Sequence, residues 1–122
     1  MKVIIAGGRD FDNVYKLHKA MQQMFGPFPE DYVTEVVSGG ARGADTIGEH
    51  WAKSYERIIK KFVPDWNKHG RSAGMIRNAE MAKYADMLVA FWDGESKGTK
   101  HMIDIAIKSG IEVHVYRYKN VR

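Results

Sequence analysis

VVSGGARGADTIGEHW, residues Val36–Trp51, is the stretch on which the fold turns. Two β-branched residues, Val36 and Val37, stop at Ser38. Three glycines then follow within five positions: Gly39, Gly40 and Gly43. Asp45 and Thr46 open a segment whose Ile47, Trp51 and Ala52 recur at helical spacing. The pattern is strand, glycine-rich loop, helix. Backbone N–H groups at a helix start carry partial positive charge, and glycines let a backbone close on an anion. Arg42, inside the loop, adds a candidate charge-assisted contact. A tight turn that merely requires positive φ would use the same glycines. The loop is neither a Walker A motif, which requires Gly-Lys-Ser/Thr, nor a G-x-G-x-x-G fingerprint.

The same alternation runs through the chain on both sides. Apolar β-rich runs at 2–6, 34–38, 57–63 and 87–92 predict four strands, and the alternating segment 112–118 predicts a fifth. Helical spacing predicts helices over 13–25, 44–55, 73–84 and 99–108, with Asp12 or Asn13 capping the first and Gly110 closing the last. Residues 67–72 read as a polar loop. Five strands alternating with helices imply an α/β fold, a doubly wound, Rossmann-like, mostly parallel sheet with helices on both faces. The expected strand order is 3-2-1-4-5 in one domain over 1–122. Ligands of such sheets bind beyond the carboxyl ends of the strands, at the switch point, here between the first and fourth strands.

Composition bounds the function. A chain of 122 residues with 44% hydrophobic and 28% charged residues is ordinary for a soluble domain. No apolar run approaches the ~18 residues of a membrane helix, and the short run after Met1 is too brief for a secretory signal. With no cysteine there is neither a disulfide framework nor thiolate chemistry. A cytoplasmic location and no membrane partner are therefore expected. The net charge of +4 favours an anionic partner, but the basic residues are scattered, with Lys60-Lys61 as the only adjacent lysine pair.

The loops after the first four strands carry the polar and glycine residues: Gly7-Gly8-Arg9-Asp10, Ser38-Gly39-Gly40-Ala41-Arg42-Gly43, Pro64-Asp65-Trp66 and Trp92-Asp93-Gly94. All four fall on one rim of a parallel sheet. Ser96-x-Gly98-Thr99 opens the last helix as a second anion cradle, or as a plain N-cap. Arg77 and Asn78, with nearby Gly74, are candidate ligand contacts on the third long helix. Asp45 and Glu49 stand i, i+4, so they are candidates for a general base or for Mg²⁺ ligands. Ordinary helix electrostatics accounts for them equally well. Asp10 and Asp93 flank the switch point and could accept from a ribose. Arg9 is a second phosphate-binding candidate. Trp66 and Trp92 are candidate base-stacking platforms, whereas Trp51 reads as core. The histidines show no metal spacing, and His50, His69 and His101 read as surface or supporting groups; no dedicated metal site is expected.

The blocks Gly7-Gly8-Arg9-Asp10-Phe11, Ser38–Asp45, Gly48-Glu49-x-Trp51-Ala52, Pro64-Asp65-Trp66, Ala73-Gly74-x-x-Arg77-Asn78-x-x-Met81, Ala85-Asp86 and Ala90–Gly94 through Thr99 span nearly the whole chain. Together they resemble the SLOG superfamily of Rossmann-like domains, in its YspA/YpsA-related branch found in bacteria and phages. The resemblance implies binding of a nucleotide or nucleotide-derived ligand, and a homo-oligomer. Two relatives of that superfamily point in different directions. Cytokinin-activating phosphoribohydrolases carry P-G-G-x-G-T-x-x-E. Here Gly98-Thr99 matches, but Met102 stands at the glutamate. DprA, a single-stranded-DNA binder, shares S-G-x-A-R-G-x-D and a later Arg-Asn pair. Three expectations follow: a nucleotide-binding domain that hydrolyses an N-glycosidic or phosphoester bond, a non-catalytic nucleotide sensor, or a single-stranded-DNA module.

Overall fold

A computed structural model describes residues 1–118. Its five strands are β1 (Lys2–Gly7), β2 (Glu35–Ser38), β3 (Ile58–Lys61), β4 (Met87–Trp92) and β5 (Glu112–Arg117). They form one parallel sheet in the order β3-β2-β1-β4-β5. The expected α/β architecture and strand order are both found.

Why β1 and β4 read as unbroken apolar runs is clear from their burial. Val3 and Ile5 of β1, with Met87, Val89 and Phe91 of β4, join one core cluster. Ile4 and Ala6, with Leu88 and Ala90, join a second. Successive side chains of a strand face opposite sides, so a sheet covered on both faces must be apolar at every position. Helices α1 (Val14–Phe25) and α2 (Ala44–Ser54) supply Leu17, Ala20, Met21, Trp51 and Ala52 to the first cluster. The second cluster takes Met81, Ala82, Met102, Ile103 and Ala106 from α4 (Ala73–Tyr84) and α5 (Lys97–Ser109).

Local signals set the helix ends. Asn13 caps α1, its Oδ1 accepting from Lys16 N–H at 3.0 Å. Gly110 closes α5 in the left-handed region at φ 83°.

Three expected bounds are corrected. β3 covers four residues rather than 57–63. Among the described strands it lies at the edge and pairs with β2 alone, and Ile58 in it and Val63 just beyond it lie 64% and 70% exposed. Its Lys60 and Lys61 suit an edge that must not recruit another strand. The expected loop 67–72 is instead a four-residue helix α3 (Trp66–His69) and a 3₁₀ turn (Gly70–Ser72), started by Asp65 Oδ1 accepting from Lys68 N–H at 3.1 Å. Finally, α5 begins at Lys97, two residues before Thr99, with Ser96 as its N-cap.

No helix among the described residues is long and apolar enough to cross a membrane.

Candidate functional site

β1 and β4 lie side by side at the centre of the sheet, and the chain leaves them in opposite directions. Their carboxyl ends therefore leave a crevice between the loops that follow. A cleft of ≈ 450 Å³ occupies it. Its walls are the Gly7–Asp10 loop, Ala41 and Asp45 at the start of α2, Arg77 and Asn78 of α4, and Asp93, Ser96, Gly98 and Thr99 at the start of α5. Ala6, Met81 and Met102 form an apolar floor.

The first two loops are fastened to each other by backbone. Gly8 C=O accepts from both Phe11 N–H, at 3.2 Å, and Ala44 N–H, at 3.1 Å. Gly43, at φ 77°, lies so close beneath Gly8 and Arg9 that a methyl group there would overlap the Gly8 carbonyl. Glycine is required at that position both for its φ and for its missing side chain.

Beside this seam, a polar chain orders the Ser38–Gly43 loop. Arg77 Nη1 donates to Gly39 C=O at 2.7 Å, and Arg77 Nε donates to Asn78 Oδ1 at 3.0 Å. Asn78 Nδ2 lies 3.0 Å from His101 Nδ1, so the amide is held from both ends. Asp45 Oδ2 accepts from Ala41 N–H at 3.1 Å. Burial pushes the Asp45 carboxyl above its ordinary value; the Ala41 N–H, the Arg77 charge and the Gly39 N–H pull the other way, and Glu49 adds to the rise. Burial lowers the Arg77 guanidinium from its ordinary value, and Asp45 opposes that shift.

This shift has a testable sign. In the unfolded chain Asp45 titrates near 3.8, while in the fold it keeps its proton to higher pH. More protons are then bound in the native state between the two values, so stability falls as pH rises through that window. The contribution is complete below 3.8 and lost above the folded value. Asp45→Asn cannot titrate. The melting temperature of the wild type minus that of the variant should therefore fall as pH rises through this window and level off above it. A difference that grows with pH would mean that the fold prefers the charged carboxylate.

Not every expected residue reaches the cleft. Gly7, Gly8, Arg9, Asp10, Ala41, Asp45, Arg77, Asn78, Asp93, Ser96, Gly98 and Thr99 line it; Ser38, Gly39, Gly40, Arg42, Gly43, Glu49, Asp65, Trp66, Trp92 and Gly94 do not. Ser38 is buried, and its Oγ donates to Glu49 Oε2 at 2.6 Å while accepting from Gly40 N–H at 3.1 Å. Glu49 Oε1 pairs with Lys61 Nζ at 3.2 Å. Glu49 therefore braces the loop from behind rather than facing a ligand. Arg42 is exposed. Trp92 donates from Nε1 to Ser96 C=O at 3.1 Å, and the Arg117 guanidinium lies over its ring at 5.5 Å, so it secures the β4–α5 loop. Gly94 packs beside that same guanidinium. Asp65 and Trp66 belong to α3 and its cap, on the far side of Arg77.

The acidic residues of the rim have defined tasks. Asp93 Oδ1 accepts from Glu95 N–H and Ser96 N–H, both at 2.8 Å, which turns the chain into α5. Ser96 Oγ then caps Thr99 N–H at 3.4 Å. Asp10 Oδ1 accepts from the Tyr118 hydroxyl, whose proton is held by burial and by Asp10 itself. The two carboxylates considered for Mg²⁺ are both engaged within the fold. Asp45 is tied to Ala41 N–H, Glu49 to Ser38 and Lys61, and among the described residues no three His, Asp or Glu side chains gather as a metal ligand set.

Sequence reading missed several residues. Met81 and Met102 are not among the candidate site residues, yet both line the cleft, whose floor is the top of the core. Lys61 read only as charge, although the register pairs it with Ser38 across β2 and β3. The Asn78–His101 contact joins α4 to α5, which no spacing within either helix reveals.

A family model described as "YspA, cpYpsA-related SLOG family" matches residues 1–69, more than half of the 122. The chain belongs to this SLOG family. The curated "Gene 61 protein" of Mycobacterium phage D29 is 37% identical over 118 residues, covering 92% of this chain and 93% of that protein. Among solved structures, DNA processing protein A (DprA) from Streptococcus pneumoniae superposes with a TM-score of 0.73 over 93% of this chain, at 18% identity. That likeness is one of fold. The chain covers 49% of the DprA chain, so it spans about half of that protein. The SLOG match contains the Gly7–Asp10 and Ser38–Asp45 blocks. The other half of the cleft, from Arg77 to Thr99, comes from beyond the matched segment.

Proposed function

We propose that the cleft binds a nucleotide or nucleotide-derived ligand. The observation that carries this reading is the joining of two opposite kinds of group in one cavity of ≈ 450 Å³. The first turns of α2 and α5, with Arg9 and Arg77, offer N–H groups and positive charge suited to phosphate. Asp10 and Asp93, at the ends of β1 and β4, offer acceptors suited to ribose hydroxyls. A ligand that is only an anion would be repelled by the carboxylates. A neutral sugar would leave the donors unused. A phosphorylated nucleoside uses both sets.

Binding without turnover is the reading the geometry supports best. Of the two candidate catalytic carboxylates, Asp45 faces the cleft and Glu49 is committed to Ser38 and Lys61. Met102, at the place of the phosphoribohydrolase glutamate, contributes only apolar floor. Hydrolysis therefore rests on Asp45 alone, the one candidate carboxyl that lines the cleft.

The two are separated by incubating the purified protein with nucleoside monophosphates, NAD, ADP-ribose and cyclic dinucleotides, reading thermal shift and the mass of the recovered ligand. At ~100-fold saturation a bound ligand adds ~2.7 kcal/mol of stability. A shift with the ligand recovered intact is the expected result. A new product mass, lost in Asp45→Asn, would establish hydrolysis instead. No shift with any nucleotide would overturn the proposal.

A further inference from the structure

Asn78 is 6% exposed, and both ends of its amide are engaged. Oδ1 accepts from Arg77 Nε at 3.0 Å, and Nδ2 lies 3.0 Å from His101 Nδ1. A guanidinium has five N–H donors and no acceptor. Arg77 therefore fixes the direction of the whole line. The amide must turn its oxygen to Nε, which leaves its NH₂ facing the imidazole. A donor at Nδ2 requires an acceptor opposite it, so His101 Nδ1 carries no proton and the ring proton sits on Nε2. An arginine on α4 thus sets the tautomer of a histidine on α5.

The same line continues to the glycine loop. Arg77 Nη1 donates to Gly39 C=O at 2.7 Å. At the other end, His101 stands two residues after Thr99, which lines the cleft together with Arg77 and Asn78. His101 is half-buried and does not line the cleft itself, so it can act there only through the amide. With the imidazole removed, Nδ2 becomes a buried donor without that acceptor, which is costly. Turning the amide offers no relief, because NH₂ would then meet Arg77 Nε, donor against donor. Either way the guanidinium loses its fixed seat.

We propose that His101 is a positioning residue of the cleft. Through Asn78 it holds Arg77 in the orientation that fastens Gly39 C=O and keeps a cation in the cleft wall. The effect on a ligand rests on the nucleotide reading of the cleft; the orienting role rests on the hydrogen bonds themselves.

The test has one readout without ligand and one with it. Nitrogen NMR of the wild type in mildly alkaline buffer should find His101 Nδ1 proton-free, Nε2 protonated, and the Arg77 Nε–H slow to exchange with water. Asn78→Asp places a carboxylate oxygen opposite the ring, and Nδ1 should then gain a proton. In His101→Ala the Arg77 Nε–H should exchange at least about tenfold faster. Calorimetric affinity for a 5′-mononucleotide should fall about tenfold in the same variant, the loss of ~1.4 kcal/mol. His101→Asn offers Oδ1 as the acceptor in place of Nδ1, and it should restore both quantities to within about threefold of wild type. A proton on Nδ1 in the wild type, a ring unchanged by Asn78→Asp, or an asparagine variant no better than alanine overturns the proposal. Wild-type exchange and affinity in His101→Ala also overturn it. A wild type that binds no nucleotide overturns the nucleotide reading instead, and the exchange of Arg77 Nε–H then decides the role of His101 alone.

Discussion

Alanine at Gly43 is expected to lower stability by about 3–5 kcal/mol, combining backbone strain with overpacking, and to abolish ligand binding. For a chain of this length that is a fall in melting temperature of roughly 10–20 °C. Two separable costs add. At φ 77° and ψ −125° the residue sits where side chains are strained. The new methyl would also overlap the Gly8 carbonyl and the Arg9 backbone. Neither obstacle is a flexible tip, so the Gly7–Asp10 loop must move away and release the Ala44 N–H to Gly8 C=O bond. Gly70 provides the control. Its backbone is in a similar region, at φ 56° and ψ −131°, with nothing within 4 Å of the built Cβ. Gly70→Ala should therefore show the strain alone, about 1–3 kcal/mol. Thermal melts of the two variants that coincide would show that the seam between the loops carries no weight.

Arg77→Met should reduce affinity for a 5′-nucleotide at least about 100-fold, the loss of ~2.8 kcal/mol or more. Methionine keeps the length and apolar stem of the side chain, so most of the packing survives. It loses the bonds to Gly39 C=O and Asn78 Oδ1, and the positive charge beside Asp45. The Ser38–Gly43 loop is then no longer fastened to α4, and the cleft loses a cation. Arg77→Lys should rescue little, because one ammonium cannot reproduce a fork that reaches Gly39 and Asn78 together. Titration calorimetry decides the matter. Wild-type affinity in either variant would remove Arg77 from the site.

Most of the architecture was legible because buried parallel strands leave a plain mark. Val3–Ala6 of β1 and Met87–Trp92 of β4 are apolar at every position, as strands with two covered faces must be, and the connections between strands are long enough for helical crossovers. β3 was overextended because Ile58 and Val63 look like core residues, and their exposure follows from an edge position that only the assembled sheet defines. The short α3 escaped because one Asp65 cap bond starts it, with no periodicity long enough to see.

The site was legible at the level of loops and less so at the level of side chains. All the loops after strands gather on one rim, as a parallel sheet dictates. Within them, the i, i+4 spacing puts Asp45 and Glu49 on one side of α2 but does not say which of the two reaches the cleft. Four residues along a helix is an advance of about 6 Å, enough to carry Glu49 below the rim to Ser38 and Lys61. Arg42 and Arg77 show the same limit. The arginine inside the glycine loop points to solvent, whereas the one that organises the loop arrives from α4.

The most direct test of the nucleotide cleft is an amide chemical-shift titration of the labelled protein with a 5′-mononucleotide and, separately, with its unphosphorylated nucleoside. Saturable shifts are expected at Gly8, Arg9, Ala41, Gly98 and Thr99, with the nucleoside binding far more weakly. Shifts confined to other surfaces, or a nucleoside that binds as well as its phosphate, would contradict it.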